Sequence, residues 1–192
     1  MKKYGIVCIF CMCMFFSIAA QNKNTFSWKF AFYDENGSII NTTNSTNAVS
    51  MSDGQKFRFW LQPESDAYCY VADEQADGNV SILYSKIIKR QNAVNLPAPD
   101  QFFVLEPPDG IERFYIIVSA VRQKKLEKSF SAGDSQQILD EIGRLRLAQT
   151  PFAEIPVKPA VMGAAARGLA DDSFATGCSG ASIYVRTIKI KH

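Results

Sequence analysis

Lys56-Phe57-Arg58-Phe59-Trp60-Leu61-Gln62-Pro63, followed by Tyr68-Cys69-Tyr70-Val71 and by Asp77-Gly78-Asn79-Val80-Ser81-Ile82-Leu83-Tyr84, is the stretch that decides the fold class. Phe57, Phe59 and Leu61 alternate with Arg58, Trp60 and Gln62. Alternation with period two, rich in aromatic residues, marks a strand with one buried face. Pro63 to Asp66 is a turn, and Asp77-Gly78 is a tight turn. Three strands joined by such short turns predict an antiparallel meander. Trp60 lies out of phase with Phe57 and Phe59, so it points to the opposite face.

The same grammar extends in both directions. Phe26, Trp28, Phe30 and Phe32 alternate with Ser27, Lys29 and Ala31, and Asn36-Gly37 closes that strand with a turn. Downstream, Phe102–Leu105 reads as a strand, Pro107-Pro108-Asp109-Gly110 as a turn, and Phe114, Ile116, Val118 and Ala120 as the partner strand. Tyr115 and Ile117 make its other face apolar too, which predicts cover on both sides. One helix stands out over about 134–149. Asp134 with Gln137 forms a capping pattern, and Ile138, Ile142 and Leu145 share one face. The cluster Arg122, Lys124, Lys125 and Lys128, interrupted by Glu127, reads as a solvated loop or strand end. Residues 131–180 combine this helix with a Pro/Ala/Gly-rich excursion, in which a short helical turn is expected around Ala164–Leu169. Ala181–Ile190 is the last strand, and its apolar phase shifts between Val185 and Ile188, which suggests a bulge. The expected fold is mainly β: an antiparallel sandwich or barrel-like domain over residues 21–192, with one amphipathic helix before the last strand.

The first twenty residues predict the compartment. Lys2 and Lys3 precede an apolar run from Tyr4 to Phe16, and Ser17, Ala19 and Ala20 supply small residues for cleavage near Ala19/Ala20. This is the order of a secretory signal peptide over residues 1–20. The run is shorter than the ~20 residues a spanning helix needs, so an uncleaved anchor ranks lower. The expected destination is the periplasm or the extracellular space, with no transmembrane segment in the mature chain. Lys2 and Lys3 leave with the leader. The remaining lysines and arginines, 21 less those two, then balance the 19 acids. A neutral domain has no electrostatic claim on nucleic acid.

Chemistry-bearing residues are sparse. The single histidine is His192, the last residue, a poor base for a catalytic pair. Neither a phosphate-cradling GxxxxGK[ST] nor a dinucleotide GxGxxG occurs. No cofactor is implied. Two cysteines and a terminal histidine do not make a zinc site, so no metal is expected. Cys69 and Cys178 remain after the leader. A single disulfide and two separate buried thiols are both open readings. The carboxylate pairs Asp73-Glu74, Asp140-Glu141 and Asp171-Asp172 are adjacent, which says nothing about facing each other across a cleft. Asp73, Glu74 and Asp77 together could offer oxygens to calcium, but a solvated turn is the simpler reading. Trp60, Tyr68, Tyr70 and Tyr84 are the candidate binding residues, as an aromatic face for a partner or a sugar.

The order of these elements resembles the bacterial family catalogued as domain of unknown function 4384. The resemblance is carried by Asp53–Phe59, by Ser65–Val71 with its Tyr-x-Tyr, by Asp77–Tyr84 and by Pro107–Arg113 with the following strand. It covers about residues 50–121 and the final strand. Members are often exported and sometimes fused to peptidase-like or kinase domains as an accessory part. No catalytic residue is assigned to the family, and none is carried over. The export signal, the neutral charge, the missing catalytic residues and the accessory role that the resemblance implies together lead to the expectation of a non-catalytic exported envelope domain that acts through an unidentified envelope protein partner. The alternative is a β-domain that binds a small ligand or glycan with surface aromatics. A carboxylate enzyme is a third, weaker reading.

Overall fold

A computed structural model describes residues 24–34, 36–37, 39–43, 48–52, 54–105, 109–149, 151–157 and 175–191. Residues 1–20, read as a leader, and the helical turn expected near Ala164 lie outside these residues; of the polar stretch 41–47, which its Asn, Ser and Thr content marks as a surface loop, 41–43 belong to a strand instead and 44–47 lie outside. Two sheets stack face to face, with two helices on the outer side of one of them. The fold is mainly β and sandwich-like, and neither sheet closes into a barrel.

The first sheet is built on β1 (Asn24–Tyr33) and β4 (Lys56–Pro63), antiparallel along nearly their whole length. Beyond β1 lie β2 (Ile39–Thr43) and β11 (Ala175–Gly180), and β10 (Phe152–Val157) pairs with β11. Beyond β4 lie β7 (Val94–Leu96) and β8 (Phe103–Val104). The second sheet runs β3 (Val49–Ser50), β12 (Ile183–Lys191), β9 (Ile111–Ser119), β5 (Ala67–Glu74) and β6 (Val80–Ile88). Only β3 with β12 is parallel in that sheet.

Strand positions agree with the periodicity, and strand partners correct it. β4 and β5 do not pair: the turn at Pro63–Asp66 carries the chain from one sheet to the other. β8 and β9 are likewise split between the sheets. The expected meander is therefore one corner, β4 to β5, followed by one hairpin, β5–β6. A short turn permits either outcome, and packing of the apolar faces selects between them.

The core lies between the sheets. Phe26, Trp28, Phe30, Phe57, Phe59 and Leu61 meet Cys69, Val71, Phe114, Ile116, Val118 and Tyr184 there. Phe30 and Phe57 stack at 5.2 Å, and both touch the Phe114 ring across the gap at 5.7 and 5.0 Å. Such offset and edge contacts suit the ring quadrupole. A second layer forms on the outer face of the second sheet, where Tyr70, Tyr115, Ile117, Ile183 and Val185 meet Leu126, Ile138, Ile142 and Leu145. The expected double cover of β9 is present.

Two helices supply that outer layer. α2 (Ser135–Leu147) starts where expected: the Asp134 carboxylate accepts the Gln137 N–H at 3.1 Å, and the Gln137 side chain bonds back to it at 2.9 Å. α1 (Lys124–Ala132) is a correction, because the basic cluster is helical. Its lysines are exposed and Leu126 is buried beneath them. Gly133, at φ 68°, ends α1 in the left-handed conformation that glycine tolerates. The bulge expected in β12 is also absent. β12 pairs with β9 in unbroken register; Ile183 and Val185 face the helices while Ile188 and Ile190 face the core. The apparent phase shift arises because both faces of this strand are covered. In β11, Gly180 leaves room for the Phe152 ring, which would lie 2.6 Å from a Cβ at that position. Among the described residues no helix is long and apolar enough to cross a membrane.

Candidate functional site

The structure separates the four aromatic candidates. Trp60 does point away from Phe57 and Phe59, yet it is only 3% exposed, so it offers no surface. Lys29, directly opposite Trp60 on β1, is buried as well. Tyr70 is also buried, because α1 lies over it. Tyr84 is half-buried against the inter-sheet core beside Cys69. Only Tyr68 reaches an open feature. The expected shared aromatic face is thereby corrected: parity predicts which side a strand residue takes, but not what covers it.

That open feature is a groove of about 490 Å³ between β6 and α1. Tyr68 of β5 and Ile82, Ser85, Lys86 and Ile87 of β6 form one side. Glu127, Phe130 and Ser131 of α1 form the other, with Arg122 just ahead of the helix. Glu127 and Phe130–Ser131 lie three and four residues apart, so α1 turns them to one side.

A hydrogen-bond network fixes α1 on the sheet. Gln123, at the helix start, has no capping side chain of its own. The Tyr70 hydroxyl supplies the acceptor instead, taking the Gln123 N–H at 2.9 Å while donating to Glu127 Oε1 at 3.0 Å. The Gln123 side chain donates to Ser119 Oγ and to the Val121 carbonyl, each at 2.9 Å. Arg122 clasps both Glu127 oxygens through Nε at 3.1 and 2.8 Å. The Arg122 guanidinium, followed by Tyr70, holds the Glu127 carboxyl below the usual carboxylate range. Burial pushes the Tyr70 hydroxyl up, so it stays protonated and able to donate. Glu127 is therefore a fixed anion rather than a proton carrier, and it is the only acid among the residues lining the groove.

The other chemical candidates lie elsewhere. Glu74 faces the helix side, where Arg113 donates to it at 2.8 Å and the Tyr115 hydroxyl also bonds to it. Asp73 faces the inter-sheet side opposite Phe114 and is 9% exposed, and its Oδ1 has no hydrogen-bond partner. Burial, reinforced by Glu112 and Glu74, pushes its carboxyl up to about 7. Asp77 bonds within its own turn, to the Asn79 N–H at 2.9 Å. The three acids weighed for calcium thus point to three different surroundings. Among the described residues no group of three or more His, Cys, Asp or Glu is placed to hold a metal.

Cys69 and Cys178 are buried free thiols that both belong to the inter-sheet core. They stand as separate thiols in the structure. Burial pushes Cys178 up to about 12 and raises Cys69 as well. A thiol held protonated in this way is a small apolar side chain rather than a nucleophile.

β6 was legible as a strand, but nothing in its residues marked it as an outermost one. α1, the opposite wall, was missed because Leu126 and Phe130 are its only large apolar residues. No curated protein and no solved structure matches the chain. The β-sheet half of the groove, together with Arg122, falls in residues 50–122, and those residues resemble the family whose model they match, described as "Domain of unknown function (DUF4384)".

Proposed function

We propose that this chain is a non-catalytic, exported bacterial envelope module that works by binding a protein partner. The observation that carries the reading is β6. It is a nine-residue strand at the open end of its sheet, with a half-apolar groove beside it. Outermost strands are usually kept short or covered, because their unpaired N–H and C=O groups recruit other chains. A long one next to a side-chain groove suits strand addition. The charged, apolar and small-residue order of the first twenty residues supports export. A neutral mature chain and an anionic Glu127 locked in an ion pair favour adhesion to protein over chemistry at this groove. The glycan alternative loses its main support with the burial of Trp60 and Tyr70.

The reading is tested by photo-cross-linking in the native envelope, with the photoreactive residue placed at Ile87 and at other exposed positions. Captured proteins are identified by mass spectrometry and the complex is rebuilt from purified components. One partner that recurs and rebinds the purified module is the expected result. Absence of any partner above background from all positions would overturn the reading.

A further inference from the structure

We propose that the groove between β6 and α1 takes an extended, acidic segment of the partner, added to the sheet as a strand alongside β6. The inference rests on the protein-module reading above and specifies its partner.

Geometry selects this edge. β6 spans nine residues and, among the described residues, pairs on one side only, with β5. The other outer strands offer less. β3 and β8 have two residues each, β7 has three and β2 has five. β10 has six but includes Pro156, which cannot donate a ladder hydrogen bond. On β6 an apolar side chain reaches solvent: Ile87 is 40% exposed. Tyr68, Ile82 and Phe130 sit half-buried between strand and helix. An incoming strand presents alternate side chains to one face, so every second residue would fall onto this apolar floor.

Charge selects the occupant. Lys86 lines the groove and makes no ion pair among the described residues, and Lys89 and Arg90 follow at the strand's exit. Asp66 is shared between the Lys89 side chain and the Arg90 backbone N–H. Arg122 is matched to Glu127, and Lys124 stands close enough to Glu127 to stabilise its charge. Lys86 and Arg122 thus line the groove against one acid, Glu127, which Arg122 and Lys124 already neutralise; Lys89 and Arg90 lie past the end of the strand, where Asp66 is bound. A second copy of this chain pairing edge to edge would set these cations against themselves, which costs energy. A purely apolar strand would leave Lys86 without a counter-charge, while the bulge at Leu83, where β6 carries one residue more than β5, limits any incoming strand to the segment on one side of it. A strand with alternating carboxylates gains on both counts, through main-chain bonds and through neutralisation of Lys86.

The test uses the mature chain and three blocked synthetic peptides: valine alternating with glutamate, with lysine, and with serine. Binding is read by fluorescence anisotropy, and the site by amide hydrogen exchange. The glutamate peptide should bind best and slow exchange within Val80–Ile88. Lys86→Glu, a change at an exposed side chain, should weaken it about tenfold and reverse the peptide preference. Equal binding of the lysine peptide, protection outside β6, unchanged affinity in Lys86→Glu, or no peptide binding would each overturn the inference. The photo-cross-links separate its failure from that of the module reading. An identified partner joined through an acidic stretch at Ile87 supports both. An identified partner joined from Leu147 of α2 but never from Ile87 overturns the groove assignment and keeps the module.

Discussion

Asp73 and Glu74 are neighbours on β5, and they report on two different regions: the inner and outer faces of the second sheet. Asp73 enters the dry layer between the sheets, where one of its oxygens has no partner and its carboxyl is pushed up to about 7. Glu74, one residue on, enters the helix-covered layer and is paired with Arg113 and Tyr115. The inner layer is built almost wholly of aromatic and branched apolar side chains from strands far apart in sequence. The outer layer is thinner and mixed, with hydroxyls, an arginine and two short helices. An inner face of this kind stabilises by exclusion of water, whereas the outer face holds elements in place by specific bonds. The groove belongs to the outer face because only there does a short helix leave part of the sheet edge open.

The largest test of this difference is truncation on either side of β9 and its cover. Ile116→Ala, in the inner layer, should cost about 4 kcal/mol by urea denaturation, because a fully buried branched side chain is lost from a packed core. Leu126→Ala should cost less, about 2–3 kcal/mol, and should raise hydrogen exchange in α1 while β5 and β9 stay protected. Equal costs, or a single global loss of protection for both, would show that the two layers are not distinct.

A smaller effect separates Asp73 from its neighbour. Folding raises the Asp73 carboxyl from its ordinary 3.8 to about 7. The folded state then holds a proton that the unfolded chain releases. This contribution to stability is complete below pH 3.8 and is lost as pH rises through about 7. Asp73→Asn should therefore leave stability nearly unchanged at low pH and raise it by about 2 kcal/mol in mildly alkaline buffer. A pH-independent effect would mean that Asp73 finds a partner in the folded protein. The smallest expected change is local: Asp134→Ala removes the cap of α2 and should cost about 1 kcal/mol in thermal or urea unfolding.

Much of the fold was legible. The strands over 26–32, 57–61, 68–71 and 80–84 and the β9 strand follow from alternation alone, and α2 follows from its cap and its i, i+4 face. Sheet membership was not legible. Pro63–Asp66 looks like a hairpin turn, but β4 pairs with β1 and β7 while β5 pairs with β9 and β6. β10 and β11 were hidden for a different reason. Ala-Thr-Gly-Cys-Ser-Gly has no alternation to read, and it forms a strand between β1 and β10 with the Phe152 ring laid over Gly180. At the candidate site, Tyr68 was anticipated, while Ile87, Lys86 and all of α1 were not. Trp60 was assigned to the correct side, and of its two readings, a covered or an exposed aromatic, the structure has the covered one.

What the sequence determined by itself was a β-rich class, the location of most strands, one capped helix and a leader-like order in the first twenty residues. These follow from preferences that act over a few residues. The tertiary structure alone decided which strands share a sheet, that Trp60 and Tyr70 are covered, that Cys69 and Cys178 stand as separate thiols, and that β6 ends its sheet beside a groove. Each of those depends on contacts between residues tens of positions apart, and burial and pairing of that kind leave no periodic mark in the strand that receives them.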